Sequence, residues 1–198
     1  MNEHYYTEKP TSKANIRLVT GIHRNIPFRF FTGSGVFSTR RVDYATSLLI
    51  ENMAVPKEGK VLDMGCGYGP IGITAAKISP NSEVVMVDLN ERACELAEEN
   101  VKANEVSNAC VIKSDMFSAV SGKYNTILMN PPIALGMKKL EAMISESKEY
   151  LEPGGSLQLV ARHSKGGKRL EKHMEKVFGN VRQVAKGGGF RVYVSSKH

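Results

Sequence analysis

A doubly wound α/β fold is expected here: a seven-stranded, mostly parallel sheet with helices on both faces, one reversed strand in a C-terminal hairpin, and a small β-rich extension at the N-terminus. Three features point to it. Strand-like and helix-like segments alternate from residue 60 to residue 178, as in successive βαβ units. A glycine-rich turn follows the first of those strands. Near the end, two strand-like runs flank Gly187, Gly188 and Gly189, the pattern of an antiparallel hairpin.

The 198 residues suit one domain at roughly 100–200 residues per domain, with residues 1–40 as the extension and 41–198 as the core. Hydrophobic residues make up 41% and charged residues 24%, which excludes wholesale disorder. The chain has no 18-residue apolar run and no apolar signal core after its first residues. Cys66, Cys94 and Cys110 cannot all pair and lack metal-ligand spacing. A soluble cytoplasmic protein with no membrane contact and no bound metal is expected.

In order, residues 15–20 and 26–32 read as strands around a turn at 21–25, and 42–53 as an apolar helix. Residues 61–64 form a short apolar strand, and a helix starts near Pro70, at a position that favours proline. Strands at 84–87, 110–112 and 126–129 alternate with a helix over 91–104. A helix over 140–151 is expected to stop at Pro153-Gly154-Gly155, followed by a strand at 156–160. A helix over 168–178 then leads into hairpin strands at 181–185 and 190–195. In such sheets ligands bind beyond the carboxyl ends of the parallel strands.

Charge is concentrated at one end. Residues 162–198 hold ten Lys/Arg and two Glu, so they carry essentially all of the net charge of +7. A basic stripe on a near-neutral body is the footprint of a polyanion binder, although a solvated helix face has the same composition.

The first strand ends in Asp63-Met64-Gly65-Cys66-Gly67-Tyr68-Gly69. Glycines let the backbone approach a ligand and adopt positive φ. The dinucleotide fingerprint G-x-G-x-x-G fails at Pro70. D-x-G-x-G-x-G instead resembles class I S-adenosylmethionine-dependent methyltransferases, which have a Rossmann-like fold. That resemblance makes S-adenosylmethionine the cofactor and Asp63, Gly65, Cys66, Gly67 and Gly69 its cradle. Asp88, ending the second strand and followed by Leu89, is placed to take ribose hydroxyls. Asp115 and Met116, after the third strand, are placed to take the adenine amine and ring.

The fourth strand runs into Asn130-Pro131-Pro132-Ile133. The prolines fix φ and remove two donors, so an amide oxygen and a free carbonyl share one rigid turn. Two acceptors are what an NH2 group needs to be presented lone pair first. The motif resembles N-P-P-[YFW] of amino-group methyltransferases acting on adenine N6, guanine N2 or glutamine N5, which implies catalytic roles for Asn130, Pro131 and Pro132. Ile133 replaces the usual aromatic beside the target. Phe37 is the candidate substitute.

Gly35-Val36-Phe37-Ser38, then Asp43 and Thr46-Ser47-Leu48-Leu49, resemble the RsmC-like family of small-subunit ribosomal RNA guanine-N2 methyltransferases. N-P-P-I and His4-Tyr5-Tyr6 resemble its stand-alone archaeal members. The resemblance spans residues 28–198 and implies RNA, as ribosomal RNA or the small subunit, as partner. Lys138, Lys165, Lys168 and Arg169 are the expected phosphate contacts. His163 is expected to be structural, and His173 to be a solvated residue of the basic helix. The alternatives are an adenine-N6 or glutamine-N5 methyltransferase, or a non-catalytic RNA-binding assembly factor.

Overall fold

The computed structural model describes residue 8, residues 15–38 and residues 41–198; the His4-Tyr5-Tyr6 element lies outside the described residues. Two antiparallel strands, β1 (Arg17–His23) and β2 (Ile26–Thr32), form a separate small sheet. The turn is tighter than expected. Arg24 and Asn25, with φ of 52° and 63°, make a two-residue connection, while Gly21 lies within β1 opposite Phe28. Two successive positive φ values match the twist of a hairpin, and Asn tolerates that region.

Helix α1 (Tyr44–Asn52) follows, then β3 (Glu58–Met64), α2 (Pro70–Ile78), β4 (Asn81–Asp88), α3 (Glu91–Ala103), β5 (Ala109–Lys113) and β6 (Tyr124–Met129). A single 3-10 turn (Ile133–Leu135) precedes α4 (Met137–Ser147), β7 (Leu151–Arg162), a π-type turn (His163–Gly167), α5 (Lys168–Phe178), β8 (Arg182–Gly187) and β9 (Phe190–Ser196). The main sheet has seven strands in the order β5-β4-β3-β6-β7-β9-β8. Only β9 runs against the others.

Central strands are largely apolar because both sheet faces are covered. Leu49, Ile50, Ile73, Met86, Leu128 and Val192 pack on the α1–α3 face. Leu62, Ile127, Met143, Leu157, Leu170 and Tyr193 pack on the α4–α5 face. Pro153-Gly154-Gly155 does not end an element as expected. Helix α4 stops earlier, Leu151 already pairs with Tyr124, and the Pro-Gly-Gly run is a bulge inside β7 before Ser156 pairs with Thr126. Gly154 N–H donates to the Lys197 carbonyl at 2.7 Å and Lys197 N–H to the Gly155 carbonyl at 2.9 Å, so the bulge keeps its backbone partners.

Side-chain amides join the parts where no strand is available. Asn100 Oδ1 accepts from Phe31 N–H (2.6 Å), and its Nδ2 donates to the Phe31 carbonyl and to the Tyr68 carbonyl, both at 2.8 Å. One helical turn on, Asn104 does the same for Arg29 N–H (3.1 Å) and its carbonyl (2.7 Å). The i, i+4 spacing on α3 thus matches alternate residues of β2. Replacing Asn100 with Ala should cost about 2–4 kcal/mol by leaving polar groups unpaired, read as a lowered midpoint in urea. Asn100→Asp should fare no better, because a carboxylate cannot donate to the Phe31 and Tyr68 carbonyls.

Candidate active site

The carboxyl ends of β3, β4, β5 and β6 open onto a cavity of about 280 Å³. Its floor is the turn after β3. Gly65 and Gly67 sit at φ of 73° and 57°, and a Cβ on either would project into open space. The glycines are therefore set by conformation and by the open face above them. Gly65 and Cys66 N–H both donate to the Val87 carbonyl (2.8 and 2.9 Å), and Gly67 N–H donates to Asp88 Oδ2 at 2.8 Å. Asn90 N–H donates to Asp88 Oδ1 at 2.9 Å. Leu89 N–H is a third backbone donor to the carboxylate, which lines the cavity beside Leu89. Burial raises its pKa, against the backbone N–H donors that lower it.

Asp63 lies beneath this floor, not on the cavity wall. It is fully buried, and its Oδ2 accepts from Gly72 N–H at 2.8 Å, holding the start of α2 to the end of β3. Among the described residues its Oδ1 has no partner. Burial pushes its carboxyl up to about 7, with the Gly72 N–H pulling down and the Asp88 charge adding to the rise. The Cys66 thiol is likewise pushed well up, chiefly by burial, so it is not a thiolate nucleophile.

Ser114 N–H donates to the Asp88 carbonyl (2.9 Å) and Ser114 Oγ to the Met116 carbonyl (2.7 Å). These bonds bring Asp115 and Met116 to the wall. Met116 holds a φ of 52°, and Lys139 Nζ lies 3.2 Å from Asp115 Oδ1.

On the other side stands Asn130. Its Nδ2 donates to Thr46 Oγ1 at 2.8 Å and to Asp43 Oδ2 at 3.4 Å. The Thr46 hydroxyl itself donates to Asp43, so its oxygen is left to accept. This chemistry assigns the amide: the NH2 faces α1 and Oδ1 remains as the acceptor. The same Asp43 carboxylate caps α1 through Ala45 N–H (2.9 Å) and Thr46 N–H (3.3 Å). Pro132's carbonyl accepts from Leu135 N–H at 3.0 Å, whereas nothing among the described residues donates to the Pro131 carbonyl.

Of the expected site residues, Phe37, Gly65, Cys66, Gly67, Asp88, Leu89, Asp115, Met116, Asn130, Pro131, Pro132 and Ile133 share this one cavity. Gly69 is set back as the N-cap of α2, at φ 92°. Lys138, Lys165 and Lys168 lie outside the cavity wall, on α4, on the π-type turn and at the start of α5. Arg169 is already engaged: its Nε and Nη2 donate to the two oxygens of the Glu141 carboxylate at 2.6 and 2.9 Å, so it is a tie between α4 and α5. His163 Nδ1 sits 2.8 Å from the Tyr193 hydroxyl, and His173 Nε2 sits 2.9 Å from Ser145 Oγ. No local sequence signal marks Phe190, at the cavity wall, or the contacts of Asp43 and Thr46 with Asn130. The D-x-x-T spacing there carries a helix-cap signal, which hides a second task for the same carboxylate.

A glycine turn open to a cavity, an acid ending the next strand and an N-P-P turn on the fourth define a class I S-adenosylmethionine-dependent methyltransferase. The methyltransferase small-domain family model matches residues 27–194, and the chain belongs to that family as an RsmC-like member. The uncharacterized protein YbxB of Bacillus subtilis is 39% identical over the full length of both chains. The ribosomal RNA small subunit methyltransferase C of Haemophilus influenzae is 34% identical over 80% of this chain and 48% of its own length. The Thermus thermophilus 16S rRNA N2 G1207 methyltransferase (RsmC), solved with AdoMet and guanosine, superposes with a TM-score of 0.81 at 25% identity, covering 96% of this chain and 52% of that one. The chain thus spans about half the length of these two RsmC proteins.

The raised Asp63 carboxyl sets a pH test. A neutral acid in the folded state against an ordinary acid in the unfolded state, near 3.8, means stability is lost as pH climbs from about 4 through about 7. Asp63→Asn keeps an acceptor for Gly72 without the charge. It should match wild type near pH 4 and melt several degrees higher at pH 8 without cofactor, by differential scanning fluorimetry at both pH values.

Proposed function

We propose that the protein transfers the methyl group of S-adenosylmethionine to an exocyclic base amine of RNA, guanine N2 in small-subunit ribosomal RNA. One observation carries this reading. Thr46 and Asp43 occupy the Asn130 NH2, leaving its oxygen and the undonated Pro131 carbonyl as two acceptors in the cavity that holds the glycine turn and Asp88. The Haemophilus relative's name supports ribosomal RNA as the acceptor class, and that of the Thermus structure supports guanine N2.

S-adenosylmethionine supplies a methyl on a positively charged sulfur, electrophilic enough that no strong base is required. Asn130 Oδ1 and the Pro131 carbonyl accept the two N–H bonds of the target amine. This would turn its lone pair toward the methyl and stabilise the positive charge that builds on nitrogen. As the C–N bond forms the S–C bond breaks, S-adenosylhomocysteine leaves, and one amine proton is lost to water. Asp88 receives the ribose hydroxyls, while Gly65 and Gly67 leave the floor clear. Asp115 and Met116 hold the adenine. Asp63 acts from below by fixing the start of α2 against β3. Lys165 and Lys168, with Lys138 on α4, contact phosphates around an unstacked base. A cytoplasmic location agrees with this substrate, and no described helix is long and apolar enough to cross a membrane.

The test is transfer from isotope-labelled S-adenosylmethionine into unmodified ribosomal RNA, intact small subunits and protein extract, with nucleoside analysis. Label in N2-methylguanosine is expected; label in N6-methyladenosine or glutamine would overturn the acceptor. Asn130→Ala should lower kcat at least about 100-fold, with the Kd for S-adenosylmethionine nearly unchanged by calorimetry. Thr46→Val, which frees the amide to flip, should cost about tenfold in kcat. Reversing Lys165 and Lys168 to Glu should weaken RNA binding and flatten its dependence on salt, by roughly 0.7 in log–log slope for each lost phosphate contact. An unchanged slope would leave those lysines as a solvated face.

A further inference from the structure

We propose that Phe190 is the stacking platform for the acceptor base, replacing the aromatic that Ile133 displaces from the N-P-P turn. The inference rests on the amine-transfer reading of the Asn130 site. A conjugated amine is presented in a defined direction only if the plane of its ring is held. Ile133 has no π face, and its side chain leans on the segment after β7: a Cβ on Gly166 would lie 3.6 Å from Ile133 Cδ1.

Sheet order divides the cavity. From β3, the neighbours β4 and β5 lead to Asp88, Asp115 and Met116; in the other direction β6, β7 and β9 lead to Asn130, Arg162 and Phe190. The acceptor half lies beyond Asn130 on that second side. Phe190 begins β9, two strand spacings or roughly 10 Å across from β6, and it lines the same cavity as Asn130.

The ring is held on fixed neighbours. The Arg162 guanidinium lies over it at 5.5 Å from the centroid, and the Tyr44 ring stands 6.2 Å away at 46°. Gly187 and Gly188 approach Tyr44 so closely that a Cβ on either would overlap it. His163 N–H donates to the Gly189 carbonyl at 2.9 Å. Tyr44 directly follows Asp43, whose carboxylate reaches Asn130. One end of α1 therefore positions both the amine acceptor and the aromatic ring, the rigid support a binding constellation needs. Among the described residues no acid pairs with Arg162, so a guanidinium stacked on Phe190 also keeps its charge for a neighbouring phosphate.

The chain contains no tryptophan, so Phe190→Trp makes a single fluorescent reporter at the platform. Emission should be quenched by guanosine added to the protein loaded with S-adenosylhomocysteine, and little changed by S-adenosylhomocysteine alone. Phe190→Ala should lower kcat/KM for ribosomal RNA about 10–100-fold without altering the affinity for S-adenosylhomocysteine. Ile133→Phe in that background should recover part of the loss by restoring an aromatic beside Asn130. Emission indifferent to nucleosides, or quenched as strongly by S-adenosylhomocysteine, would overturn the assignment. So would wild-type kcat/KM in Phe190→Ala alongside a loss in Phe37→Ala. Quenching by adenosine and not by guanosine would keep Phe190 as the platform while overturning the guanine reading.

Discussion

The Val87 carbonyl, at the end of β4, accepts from both Gly65 and Cys66 N–H, and the site is built on that contact. A turn with alternating positive φ points its N–H groups away from any regular ladder, and buried donors must be paired. Parallel register places Val87 beside Met64, so the acceptor arrives one residue before the turn begins. The next residue, Asp88, takes the third N–H. Shifting β4 by one residue would leave those donors unpaired and would turn Asp88 toward the opposite face of the sheet. The floor and its acid are therefore one unit, with Asp63 bracing the start of α2 from below.

Helix α1 does for the proposed acceptor side what β4 does for the proposed cofactor side. A helix exposes unpaired N–H groups at its start, and Asp43 satisfies two of them. Because α1 lies over the sheet near β7, β8 and β9, the same carboxylate also meets Thr46 and Asn130. Its far end is tied down by Gln158, whose amide pairs with both the N–H and the carbonyl of Ala54. Asn100 and Asn104 tie the hairpin to α3 in the same manner. Each of these amides supplies a donor and an acceptor in one plane, standing in for a missing strand.

Part of the basic end of the chain is structural. Arg169 is consumed in holding α5 to α4, and its guanidinium keeps the Glu141 carboxyl below its ordinary value. Lys186 and Arg191 face each other directly across β8 and β9 with no acid paired to either among the described residues. Like charges opposite one another weaken a hairpin. An anionic partner would offset that cost, in keeping with the proposed RNA surface.

Much was legible in the sequence because it depends on local chemistry. Alternation of apolar runs with helical periods marks the strands and helices, and α5 matches its expected limits because proline-free, amphipathic sequence is closed by Gly179. The glycine turn, Asp88 and the N-P-P turn were legible for a related reason: each sits at a strand end, where topology alone sends it to one edge. Other features depend on which segments meet. Pro153-Gly154-Gly155 carries a local stop signal, yet pairing with β6 and the tail of β9 keeps it within a strand. Arg169 is one more cation in a basic helix until Glu141 on α4 takes it up. Asp43 reads as a cap until folding brings Asn130, 87 residues away, within its reach. Phe190 reads as a strand residue until the antiparallel β9 carries its first residue back to the ligand edge. Local propensity can specify an element and its ends; which side chain faces an amide from another strand is set by sheet order and register.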